Sequence, residues 1–253
     1  MTISARQWQA FITRLAEINA AAGAKMRQYI DRYGLADADA LIRYAYALAT
    51  RYGEAGASLA ADMYDAIAAL EGVSVPTAAV APTAAYGDTA AAMYATAATG
   101  SPEQVVSAVE RLVKLPAADT MLQNAIRDKA EFAWIPSGDT CAFCLAIASR
   151  GWRKASPTVL KGGHAEHIHG NCDCMFMTRH SKFTTVEGYN NGEQYRKMYD
   201  AAEGSSSRDK INAMRQKFYA ENAEEINEQK RSAYKKRRER ESSAAEEGDA
   251  GTP

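Results

Sequence analysis

From Ser4 to about Tyr33, Trp8, Phe11, Ile12, Leu15, Ile18 and Met26 recur at the spacing that lines one face of an α-helix. Gly34 follows as a stop signal. A second helix begins near Asp37 or Asp39 as N-cap, carries Leu41, Ile42, Tyr44, Tyr46, Leu48 and Tyr52, and continues from Ala55 to Leu70. These two stretches predict an antiparallel helical hairpin or small bundle over residues 1–71. Pro76, Pro82, Gly87 and Gly100 then interrupt a run of Ala and Thr, which predicts an irregular arm with a short helix from about Thr89 to Ala98, capped by Asp88. Ser101-Pro-Glu-Gln104 places a cap, a proline and a glutamine where a helix start uses them. The helix it opens should break at Pro116 and be followed by another from Asp119 to Lys129, completing a segment of arm and helices over 72–131.

The next stretch, 132–180, is compact and rich in aromatic residues, Gly, Cys and His, and Phe132-Ala-Trp134 and Met175-Phe-Met177 are long enough to pair as two short strands. A polar helical region over 181–240 follows, interrupted near Gly204-Ser-Ser-Ser207, and 241–253 reads as a disordered acidic tail. The expected fold class is mainly α: a helical N-terminal bundle, a small zinc-knuckle-like α+β insert, a long C-terminal helix and a disordered tail.

Composition refines this. The 253 residues are 47% hydrophobic, much of it alanine, so the core should be shallow helix-on-helix packing with small residues at close contacts. A formal net charge of -1 excludes a polycation, so any nucleic-acid affinity must come from a local patch. No stretch approaches the roughly 18 uninterrupted apolar residues of a membrane span, and the opening residues carry no apolar signal region. A cytoplasmic setting is expected, where thiols stay reduced.

All four cysteines lie between residues 141 and 174. Cys141-Ala-Phe-Cys144 is a C-x-x-C pair, and His169-Gly-Asn-Cys172-Asp-Cys174 is an H-x-x-C-x-C cluster downstream. Two ligands a few residues apart reach one ion from a single turn, and zinc takes four such soft or borderline donors. The candidate ligands are Cys141, Cys144, His169, Cys172 and Cys174: His169 and Cys174 are the preferred second pair, Cys172 competes closely, and His167 is a reserve. Zinc is favoured over iron–sulfur because a histidine accompanies the thiolates. A thiolate-rich set closes the coordination sphere, which predicts a structural metal with no reaction of its own. A thioredoxin-type redox pair, which needs C-x-x-C at a helix start after a strand, and scattered structural cysteines are the competing readings. His164 and His180 are expected to be solvated loop residues. Trp134 and Trp152 should form a miniature core over the metal, too small to fold unaided.

Thr140 to Trp152, followed by His167-Ile-His-Gly-Asn-Cys-Asp-Cys174, resembles the cysteine/histidine signature of tailed-bacteriophage minor head proteins, the Mu F-like, portal-associated minor capsid family of phages and prophages. Gly170 and Asp173 depart from that family's commoner H-P-N-C-R-C form. The resemblance implies a virion protein acting in phage head morphogenesis. It would sit inside the capsid at the portal vertex, reside in host cytoplasm during assembly, and have the portal protein and capsid or scaffold proteins as partners. Departure with the DNA at ejection would fit the same role. No catalytic residues are expected.

Toward the C-terminus basic residues concentrate, with Lys230, Arg231, Lys235, Lys236, Arg237 and Arg238 as candidate contacts to packaged DNA. The plainer reading is a solvated helix laced with pairs such as Lys217 with Glu221. The alternatives in function are a metal-dependent HNH-like nuclease, for which His164, His167 and His180 lack the required spacing, and a zinc-stabilised DNA-binding module.

Overall fold

The computed structural model of the chain describes residues 1–136, 141–160 and 174–221, with 223, 224 and 228 beyond them. The chain is mainly helical. Strand β1 (Thr2–Ile3) leads into helices α1 (Ala5–Tyr33), α2 (Ala38–Glu71), α3 (Tyr86–Ala97) and α4 (Pro102–Arg127). There follow β2 (Glu131–Ile135), α5 (Ala142–Ala148), β3 (Arg153–Lys154), α6 (Pro157–Leu160), β4 (Met175–Arg179), β5 (Thr185–Val186), α7 (Glu193–Asp200) and α8 (Ser207–Glu221). The chain divides into a compact unit of Met1–Met198 and a second of Tyr199–Pro253.

Local chemistry sets the ends of the long helices. Ser4 and Gln7 form a capping box on α1, and the Gly34 N–H donates to the Ile30 carbonyl at the other end. Asp37 caps α2, accepting from the Ala40 N–H at 2.9 Å, and Gly72 ends it in the left-handed conformation that glycine adopts without strain. Ser101 caps α4 as its sequence indicates. For α3 the cap position is Ala85, which has no side-chain bond, and Asp88 lies inside the first turn.

Pro116 does not break α4, which runs unbroken from Pro102 to Arg127. The proline removes one backbone donor, but its ring is buried against Gly53 of α2, and its carbonyl accepts a 2.7 Å bond from the Thr120 hydroxyl. The α2–α4 contact is the most extensive in the unit. A Cβ at Gly53 would come within 3.1 Å of Thr83 and 3.3 Å of Pro116, while Gly56 faces Ala117. Small residues let the two backbones approach, so packing around Pro116 outweighs the lost hydrogen bond.

The arm between α2 and α3 is extended, and its backbone is satisfied by side chains on the helices beside it. Asn124 accepts from the Ala79 N–H at 2.9 Å and donates to the Ala79 carbonyl at 2.8 Å, as a neighbouring strand would. The hydroxyl of Thr120 accepts from the Ala81 N–H at 3.0 Å, and Asp65 accepts from the Ala78 N–H at 2.9 Å. Asn124 is buried, so Asn124→Leu would strand both polar groups of Ala79. The expected cost is about 2–3 kcal/mol, read by equilibrium unfolding, with faster hydrogen exchange at the Ala79 amide. Unchanged exchange there would refute the clamp.

A three-stranded sheet in the order β3–β2–β4 closes one side of the helices. The two strands expected from sequence pair antiparallel, Trp134 opposite Phe176 and Ile135 opposite Met175, and Arg153–Lys154 adds a third. Trp134 and Phe176 meet edge to face at 4.5 Å. This is not the separate miniature core expected over a metal. Trp134, Phe132, Phe176 and Met177 share one cluster with Trp8 and Phe11 of α1, Tyr64 and Ile67 of α2, and Met121 and Leu122 of α4. A second cluster, with Met26, Ile30, Leu41, Met93 and Val109, fills the other end of the helices. A parallel pairing of β1 with β5, Ile3 opposite Val186, ties the start of α1 to the chain beyond the sheet, and Glu187 accepts from the Ala5 N–H at 3.0 Å.

In the second unit, Ser206 and Asp209 hydrogen-bond reciprocally at the start of α8. Lys210 lies 5.0 Å from the Tyr199 ring centroid, and Lys217 reaches Glu221 at 3.9 Å, the pair expected from sequence.

Candidate functional site

Cys141 occupies the N-cap position of α5, half-buried, and Cys144 lies one turn on, 1% exposed. Cys174 is buried immediately before β4. The antiparallel register, Ile135 with Met175, sets the chain leaving β2 at Pro136 beside the chain entering β4 at Cys174. Cys144 and Cys174 belong to the main core cluster, and Cys141 packs against it. The structure therefore gathers the C-x-x-C pair and Cys174 around one hydrophobic body. Among the described residues no three His, Cys, Asp or Glu side chains form a group able to hold a metal ion. His169 and Cys172, the other two candidate ligands, lie outside the described residues, as do His164, His167 and the basic set Lys230, Arg231, Lys235, Lys236, Arg237 and Arg238.

Cys174 also borders an apolar cleft, open to solvent, with Ile12, Leu15, Gly56, Val113 and Met175. Its polar members are Asn19 and Lys114.

The main concentration of titratable groups lies elsewhere. His180, expected to be solvated, is buried at the end of β4 with 5% of its side chain exposed. Its Nδ1 lies 2.8 Å from Oε2 of Glu71, the last residue of α2, and that oxygen also accepts from the His180 backbone N–H at 2.8 Å. The other carboxylate oxygen accepts from the Ser181 N–H at 3.2 Å. On the far side of the ring, Nε2 lies 3.1 Å from the hydroxyl of Tyr64, which donates to Asp128 at 2.8 Å. Arg127 closes the line with two 2.7 Å bonds to Asp128, and its remaining donors hold the carbonyls of Pro76 and Thr77.

Proton counting constrains this line. Tyr64 has one hydroxyl proton for two neighbours, so the direction of its contact with His180 is set by the tautomer of the ring. Burial pushes the Glu71 carboxyl up, but hydrogen bonds from His180, Thr184 and the backbone outweigh it and leave the group below its ordinary range. Asp128 is lowered mainly by the Arg127 guanidinium, and Tyr64 is raised by burial and by Asp128. The line joins α2, α4, β4 and the arm. The Glu71, His180, Tyr64 and Asp128 side chains are enclosed and Arg127 covers the end of the line at the surface, an arrangement that suits a fastening.

Asp119 on α4 behaves oppositely. Burial pushes its carboxyl from 3.8 up to about 6. A raised acid binds its proton more tightly when folded, so stability falls as pH rises from 3.8 to about 6 and stays lower above that. Asp119→Asn is expected to gain about 1–2 kcal/mol at pH near 8, after allowance for partial solvent screening, and nothing near pH 3.5. Urea unfolding at the two pH values checks this; equal gains at both would refute the assignment.

Sequence patterning passed over His180 because its partners lie far off in the chain, Glu71 by 109 positions and Tyr64 by 116. A family model described as VG15 protein matches residues 2–202, a span that includes the helical bundle, the sheet and the cysteine segment. Neither the curated proteins nor the solved structures compared with the chain contain a match.

Proposed function

Since the chain belongs to the VG15 protein family, a family of viral gene products, we propose that it is a structural minor head protein of a tailed phage or prophage, acting at the portal vertex during head assembly. The observation that carries this reading is the cysteine signature resembling portal-associated minor head proteins, set against a core shared by sheet and helices. In this reading the protein is not an enzyme. It docks through its helical surface on the portal protein or on capsid and scaffold proteins, with contacts to packaged DNA from its basic end.

A structural zinc ion is part of the proposal, its four ligands drawn from Cys141, Cys144, His169, Cys172 and Cys174. Thiolates and an imidazole are the donors zinc prefers, and Cys174 enters β4 beside the exit of β2, so a metal there would fasten that end of the sheet. No described helix is long and apolar enough to cross a membrane.

Three measurements test this reading. Affinity capture with the portal protein of the same phage is expected to retain the chain, and failure to bind would remove the head-protein assignment. Metal analysis is expected to return one zinc per chain, with chelation loosening residues 132–180 in hydrogen exchange; protection unchanged on chelation would sink the structural zinc. Magnesium- or manganese-dependent DNA cleavage abolished by His167→Ala would replace the proposal with a nuclease.

A further inference from the structure

The C-x-x-C pair sits in the context that dithiol chemistry uses: strand β2, a short connection, then both cysteines in the opening turn of α5. From this geometry we infer that Cys141 and Cys144 form a redox-active dithiol that reduces low-molecular-weight disulfides and closes to a disulfide of its own. The inference goes beyond the zinc reading and does not depend on it.

Three observations support it. Cys141 and Cys144 are the N-cap and third residues of one helical turn, closed by the Leu145 N–H donating to the Cys141 carbonyl at 3.1 Å. Helical geometry puts their Cα atoms about 5 Å apart, inside the range a disulfide requires. Cys141 has the extended backbone of an N-cap residue, φ -67° and ψ 156°, and begins this turn.

The second observation is unequal access. Cys141 is half-buried and can be reached from solvent, whereas Cys144 is 1% exposed. That asymmetry assigns the roles: Cys141 attacks first and Cys144 resolves. The third is that α5 is held at its opposite end. Arg196 donates to the Ser149 carbonyl at 3.1 Å, and Asn191 accepts from the Trp152 N–H at 2.9 Å. Closing a disulfide in the first turn therefore leaves the anchorage of the helix intact.

The steps balance. The Cys141 thiolate attacks one sulfur of a disulfide such as oxidised glutathione, forming a mixed disulfide and expelling one glutathione thiolate, which takes up a proton. The Cys144 thiolate then attacks the Cys141 sulfur, forming the Cys141–Cys144 bond and expelling the second glutathione. Two thiols are oxidised and one disulfide is reduced to two thiols. Any metal sharing these sulfurs would be released in the same event, because a disulfide is no longer a thiolate ligand.

The test equilibrates the purified full-length chain, as isolated, across a series of reduced-to-oxidised glutathione ratios. Free thiols are trapped with iodoacetamide and tryptic peptides weighed. Cleavage after Lys129 and Arg150 puts Cys141 and Cys144 on one peptide, while Cys172 and Cys174 fall together on Gly162–Arg179. The expected result is a 130–150 peptide two hydrogens lighter and free of label, its fraction rising from near zero to near complete across the series. Cys144→Ser should instead accumulate glutathione on Cys141, and Cys141→Ser should leave Cys144 without glutathione in the folded chain. Both thiols persisting at every ratio, or a cross-link between the two peptides, would overturn the inference. Zinc content, read in parallel, separates the two proposals: a disulfide without zinc removes only the metal, and zinc without a disulfide removes only the dithiol.

Discussion

Glu71→Ala is expected to cost about 3–5 kcal/mol, the largest effect of any single substitution considered for this chain. The Glu71 side chain is 1% exposed and accepts from His180 Nδ1 and from the backbone N–H groups of His180 and Ser181. Removing the carboxylate leaves those donors buried with no acceptor, and the cost is their desolvation with nothing in return. Glu71→Gln keeps one acceptor oxygen and is expected to lose less. Urea unfolding of the two variants checks the order, and a loss below about 1 kcal/mol for alanine would show that the line is not a fastening.

The same residues set acid stability. Glu71 and Asp128 are both held below their ordinary carboxylate range. A depressed acid contributes stability that is present above its unfolded value and disappears as pH falls through its folded value. The wild-type chain should therefore lose stability steeply in acid, below about pH 4. A Glu71→Gln/Asp128→Asn chain should start less stable and show a flatter decline over that window.

Gly192→Ala is the second large expectation, at about 2–4 kcal/mol. Gly192 has φ +74°, and a Cβ there would overlap the carbonyl oxygen of Ala148 and come within 3.2 Å of the Gly151 nitrogen. Both obstacles are backbone, which cannot swing aside. Gly188 provides the control: its φ is +78°, but nothing lies within 4 Å of its Cβ position. Gly188→Ala should cost only the left-handed strain, about 1 kcal/mol, so the difference between the variants isolates the close approach that seats residues 188–192 on the end of α5. Equal losses in thermal unfolding would remove the overlap as the cause.

Much of the secondary structure was legible from local signals because local signals create it. The span of α1 follows from the apolar period and Gly34; the start of α4 follows from Ser101 and Pro102; the pairing of Phe132–Trp134 with Met175–Met177 follows from two short apolar runs bounded by turn residues. The spacing of Cys141 and Cys144 placed them together without any knowledge of the fold, since one helical turn fixes their separation. What tertiary structure decided has partners remote in sequence. Pro116 reads as a break until Gly53 packs on it, and the arm reads as irregular until Asn124 and Thr120 take up its backbone groups. His180, between Arg179 and Ser181, reads as a solvated loop residue until α2 delivers Glu71 and Tyr64 to either side of its ring. A hydrogen bond or close approach across more than 100 residues leaves no periodic trace along the chain, so only the assembled helices and sheet could turn this polar histidine into part of the core.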